Sequence, residues 1–187
     1  MRRVLLGIGL GLAVAGMASA EPTALDLAKR GNDYVGIQCK GKVLRIYSDK
    51  SVGGIEPATW HVVYYDPDTY SKSIQVIFAG GQEQQVAASL HIFQMPAKLR
   101  DVLDQSKLVV DSDRALDIAQ TLPSLQGLTL TSSVLTLEIA DPGPVWTVQL
   151  WAAKKKDPTK EAKLGTVTIS ATDSSIIKSD LKPDKVY

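Results

Sequence analysis

Apolar and polar positions alternate along much of the chain, and this period of two predicts strands. Leu44 and Ile46 fall on one side of such a run, with Val43, Arg45 and Tyr47 on the other; Leu135, Leu137 and Ile139 repeat the inward set. A turn rich in Gly and Pro leads from each run to a strand that opens on tryptophan, Trp60-Val62-Tyr64 or Trp146-Val148-Leu150. A third strand follows in each case, Ile74-Val76-Phe78 or Val167-Ile169-Ala171. Two short segments have helical spacing instead. Asp111-Ser112-Asp113 offers side-chain oxygens to cap a helix over about 114–121, and Pro22 suits the first turn of an earlier one. Gly31 and Pro123 mark where they stop.

These elements recur in one order. Shifted by 91 residues, Ala24-Leu25-Asp26-Leu27-Ala28 falls on Ala115-Leu116-Asp117-Ile118-Ala119, Gly36 on Gly127, and Val43-Leu44-Arg45-Ile46 on Val134-Leu135-Thr136-Leu137. A shorter turn then brings Trp60-His61-Val62 onto Trp146-Thr147-Val148, and the duplication predicts that Leu44 overlays Leu135 and Trp60 overlays Trp146. The expected fold is α+β: two repeated modules, each a short helix packed on an antiparallel β-meander of three to four strands. Residues 21–94 form the first module, 95–111 a connecting segment and 112–187 the second. The stretch 82–111 that joins the repeats carries an expected strand from Gln85 to Phe93 and a helix beginning at Pro96, with Leu99, Val102 and Leu103 on one side.

The start of the chain reads differently. Arg2 and Arg3 precede an uncharged apolar run from Val4 to Ala15, and Ala18-Ser19-Ala20 supplies a small-residue cleavage site, so 1–20 reads as a signal peptide cut before Glu21. The expected location is periplasmic or secreted, with no transmembrane segment once the signal is removed. The remaining 167 residues hold 19 basic and 20 acidic side chains, a balance that disfavours nucleic-acid binding.

The residues in the second repeat resemble PepSY-like domains, small cystatin-like α+β modules of exported bacterial proteins. The resemblance rests on the helix with Ala115, Leu116 and Ala119 after Val110-Asp111-Ser112-Asp113, the Pro144-Val145-Trp146-Thr147-Val148 strand entry and the final hairpin. In the first repeat it rests on Ala24 to Ala28, Trp60 to Tyr65 and Phe78-Ala79-Gly80-Gly81. It implies a tandem PepSY-like protein of the bacterial envelope, acting as a binding or inhibitory module toward a protein, a peptide or a peptidase.

Candidate chemistry is sparse. His61, His91 and the single Cys39 cannot assemble a histidine-rich or paired-cysteine metal site, and no serine sits in a nucleophile-elbow pattern. No metal, cofactor or catalytic residue is expected. A hydrolase using Cys39 and His61 is one alternative function, and a structural or adaptor component of the envelope is another. Asp66-Pro67-Asp68-Thr69 and Asp157-Pro158 suit β-turns, and Lys154-Lys155-Lys156 with Lys160 and Lys163 reads as a solvated hairpin tip. Trp60 and Trp146 are core anchors or stacking platforms. Tyr47, Tyr65 and Trp151 share the other strand parity and form the expected aromatic binding face.

Overall fold

The computed structural model describes residues 21–88, 97–141 and 143–187. The expected signal peptide, His91 and the expected helix start at Pro96 lie outside them. The order is α1 (Ala24–Gly31), β1 (Val43–Ser48), β2 (Thr59–Tyr65), β3 (Ser73–Ala79), β4 (Gln82–Ala88), α2 (Ser112–Gln120), β5 (Leu130–Ile139), β6 (Pro144–Ala153), β7 (Glu161–Ser170) and β8 (Ile176–Leu181).

All eight strands belong to one antiparallel sheet, in the order β4-β3-β2-β1-β5-β6-β7-β8. This corrects the expected pair of α+β modules: the chain is predominantly β, one continuous sheet with, among the described residues, two short α-helices. The seam is the antiparallel pairing of β1 with β5, which sets Ile46 opposite Leu137 and Arg45 opposite Glu138. A helix and a short meander leave an edge strand with unpaired N–H and C=O groups; here β1 and β5 satisfy one another.

The repeat register holds at some positions and fails at others. Ile46 and Leu137, 91 residues apart, face each other across the seam. Trp60 pairs with Ser48, two residues beyond Ile46, whereas Trp146 pairs with Leu137 itself, so the two tryptophans are not register equivalents. Leu44 does not overlay Leu135 either. A register shift between Val43 and Arg45 puts Val43 with Ile46 in the main core and sends Leu44 to the other face, while Leu135 stays in the main core.

Each helix buries positions 1, 4, 5 and 8: Ala24, Leu27, Ala28 and Gly31 in α1, and Ser112, Ala115, Leu116 and Ala119 in α2. These stripes lie on the same face of the sheet and close the main core over Trp146, Val62, Leu137 and Ile169. Gly31 is required by close approach, because a Cβ there would strike the Tyr64 hydroxyl, which donates to the Ala28 carbonyl at 2.6 Å. The helix starts interlock. Asp111 Oδ1 accepts from Ser112 N–H at 2.6 Å and Leu25 N–H at 3.1 Å, and Ser112 Oγ accepts from Ala24 N–H at 3.0 Å. Two donors in the first turn of α1 are thus satisfied by the cap of α2.

Residues 97–110 contain two single 3-10 turns and no α-helix, correcting that part of the connecting segment. Val102 packs on the outer face with Leu44, Val63 and Ala97, while its neighbour Leu103 enters the main core and donates its N–H to the Val43 carbonyl at 2.7 Å. Successive side chains on opposite sides are the mark of extended chain. Leu99 is exposed.

Candidate functional site

The expected aromatic face does not form a patch. Tyr47 and Tyr65 do lie on the outer face, but they pack beside Leu44, Val63, Ala97 and Val102. Tyr47 stacks on His61 at a centroid distance of 4.4 Å, lies under the Arg45 guanidinium and donates its hydroxyl to Gln75 Oε1 at 3.2 Å. Trp151 projects to the outer face because Leu150 and Ala152 enter the main core, and Lys50 and Lys163 lie over its ring at 4.6 and 5.4 Å. The ladders separate these groups. Trp151 pairs with Ser132 near the start of β5, whereas Tyr65 follows the Val43–Tyr64 pair beyond the opposite end of that strand, on the order of 25 Å away along the sheet.

Cys39 and His61 are not brought together. Cys39 is 1% exposed in the core beneath the helices, and burial, reinforced by Asp66, pushes its thiol up to about 11. His61 sits on the other face, its Nε2 3.1 Å from Asp49 Oδ1. A thiol held protonated on the wrong side of a sheet cannot serve that imidazole as a nucleophile.

The acidic turns are backbone devices. Asp66 Oδ1 accepts from Asp68 N–H at 2.9 Å, and Asp157 Oδ1 accepts from Thr159 N–H at 3.3 Å. Hydrogen bonds from Thr159 and Lys160 hold the Asp157 carboxyl below the usual range. Among the described residues no group of three His, Cys, Asp or Glu is placed to hold a metal ion. At the basic hairpin tip, Lys155 Nζ donates to the Gly127 carbonyl at 2.7 Å and Lys160 pairs with Asp157.

Trp60 and Trp146 are both core residues, 6% and 0% exposed, meeting edge to face at 6.4 Å. Their surroundings differ. Trp146 lies under the centre of the fold, its indole N–H donating to the Val110 carbonyl at 2.9 Å. Trp60 donates to the Pro57 carbonyl at 3.2 Å and lies at the floor of an open cleft of about 640 Å³ beside the two helix starts.

Trp60, 6% exposed, and the fully buried Leu135 lie beneath the cleft, with the buried Pro57 and Leu116 beside them, so its apolar floor is shallow. One wall is the chain entering α1, from Glu21 to Thr23; the other is α2, through Ser112, Asp113, Asp117 and Gln120. Glu56 closes the rim. No local signal in the sequence marks this site, because Glu21, Glu56, Trp60 and Asp113 come together only when α1 and α2 dock with their starts in contact. Among the described residues no helix is long and apolar enough to cross a membrane. No protein-family model, curated protein or solved structure matches the chain.

Proposed function

We propose that the chain is an exported, non-catalytic binding protein that seats a segment of a protein or peptide partner in the cleft between the starts of α1 and α2. The cleft is the observation that carries this reading. Its volume is in the range of ligand-binding clefts, its floor is aromatic and aliphatic, and its polar groups converge from three separate stretches of chain. The placement of Cys39 and His61 on opposite faces favours binding over hydrolysis. The signal-like start and the PepSY-like resemblance support an extracytoplasmic setting.

An array of immobilised short peptides tests the reading with two variants. Gln120→Trp, on the half-buried wall of α2, should narrow the cleft and weaken capture about tenfold without lowering the melting temperature. Thr147→Trp, on the outer sheet face, should leave capture unchanged. An array that retains nothing, or capture lost only in the Thr147 variant, defeats the proposal.

A further inference from the structure

We infer that the occupant of this cleft is cationic: the side chain of an arginine or lysine in an extended segment of a partner protein. The inference deepens the proposed function and rests on it. Four carboxylates line the cleft, Glu21, Glu56, Asp113 and Asp117, against one guanidinium, that of Arg114, and the α-ammonium that cleavage before Glu21 leaves on its wall. Arg114 is already engaged, its Nη1 2.8 Å from Asp117 Oδ2. Glu21, Glu56 and Asp113 form no ion pair among the described residues; Asp113 Oδ1 accepts only the N–H of Arg114, at 2.7 Å. With the whole chain close to neutral, the cleft is a local concentration of uncompensated negative charge.

The apolar floor decides what kind of cation fits. A hydrated inorganic ion gains nothing from the small apolar surface that Pro22, Trp60 and Leu116 leave open in the cleft, whereas the methylene stem of arginine or lysine covers it and keeps its charged head at the rim. Trp60 is 6% exposed, its N–H held by the Pro57 carbonyl, so a cation at the cleft floor meets only the small exposed part of its indole. Carboxylates around the mouth of an aromatic and aliphatic floor match an amphipathic cationic side chain end to end. They repel an acidic one, and an apolar one leaves the rim charges without a partner.

Nitrogen-resolved NMR on the indole groups tests this directly. The chain has three tryptophans, and the Trp60 signal is identified by its loss in Trp60→Phe. The probes are blocked glycine-serine peptides, identical except for a central arginine, glutamate or leucine. The arginine peptide should move the Trp60 indole resonance and the glutamate peptide should not. Glu56→Gln and Asp113→Asn should each weaken binding about two- to fivefold, as rim charges do. Glu56→Lys should abolish it, and added salt should weaken it in the wild type. Both positions are exposed, so unchanged melting temperatures accompany these losses.

If the leucine peptide moves the Trp60 signal as strongly as the arginine peptide, the cationic assignment fails while the cleft survives as a binding site. If the arginine peptide perturbs Trp151 and leaves Trp60 still, the ligand sits on the outer face and both readings fail. If no peptide moves Trp60, the cationic assignment is wrong.

Discussion

The two faces of the sheet are stabilised very differently. Toward the helices, Trp146, Tyr64, Phe78, Ile46, Leu135 and Leu137 are each less than 2% exposed, in one core running from β3 to β7. On the outer side the only cluster of buried apolar residues among the described residues is Leu44, Val63 and Ala97, covered by the chain near Val102. It serves β1 and β2 alone. Over β5, β6 and β7 the outer face carries Thr136, Thr147 and Thr168 in register across three strands, ending at Lys178 on β8. Both faces have the same backbone hydrogen bonds, so what separates them is which segments of chain cover them. Folding free energy is concentrated on the helix face, and the cleft lies beside the helix starts that cover it.

Four changes break or sharpen this contrast. The largest effect is expected from Trp146→Ala, which opens a cavity in the main core and strips the Val110 carbonyl of its donor, for a loss of about 3 to 5 kcal/mol in denaturant unfolding. A loss under 1 kcal/mol would mean that the helix face is not the stabilising one.

Alkaline pH should come next, acting through Cys39. Its folded-state thiol pKa is raised from 9.0 to about 11, so the folded protein retains a proton that the unfolded chain releases. Stability is therefore unaffected below pH 9 and falls by about 2 to 3 kcal/mol as pH rises through 11. Burial also raises the Tyr64 hydroxyl, with the same sign at higher pH, so the Cys39 share is read as the loss missing in Cys39→Ala. The native thiol should resist alkylation at neutral pH until denaturant is added.

On the outer face, Leu44→Ala should cost about 2 kcal/mol, the low end for a buried leucine, because its small cluster can close in around the deletion. Thr147→Val, half-buried within the threonine row, should change stability by no more than about 0.5 kcal/mol in thermal melts. Should Thr147→Val prove as costly as Leu44→Ala, the outer face of β5 to β7 is not the passive surface described.

What the sequence determined is local. Period-two alternation placed Trp60, Val62 and Tyr64, and likewise Trp146, Val148 and Leu150, on one face, because a strand turns successive side chains to opposite sides whatever surrounds it. Both helices were legible for the same kind of reason, since Asp111 lies where a cap is needed and apolar positions recur at helical spacing. Where a single extra residue intervened, as in the shift between Val43 and Arg45, the pattern misassigned Leu44, because alternation carries no mark of a bulge. In 97–110 the apolar spacing read as helix, yet Val102 and Leu103 serve opposite faces of the sheet.

Only the tertiary structure decided that β1 pairs with β5 and so makes one sheet of what reads as two modules. Periodicity specifies which face of a strand is buried but not which edge will satisfy its backbone groups, and the repeat is equally compatible with joined or separate sheets. The cleft belongs to the same level. Glu56, Trp60 and Asp113 are remote in sequence, and they share a site because Ser112 and Asp111 accept the first N–H groups of α1, fixing the two helix starts side by side above the seam.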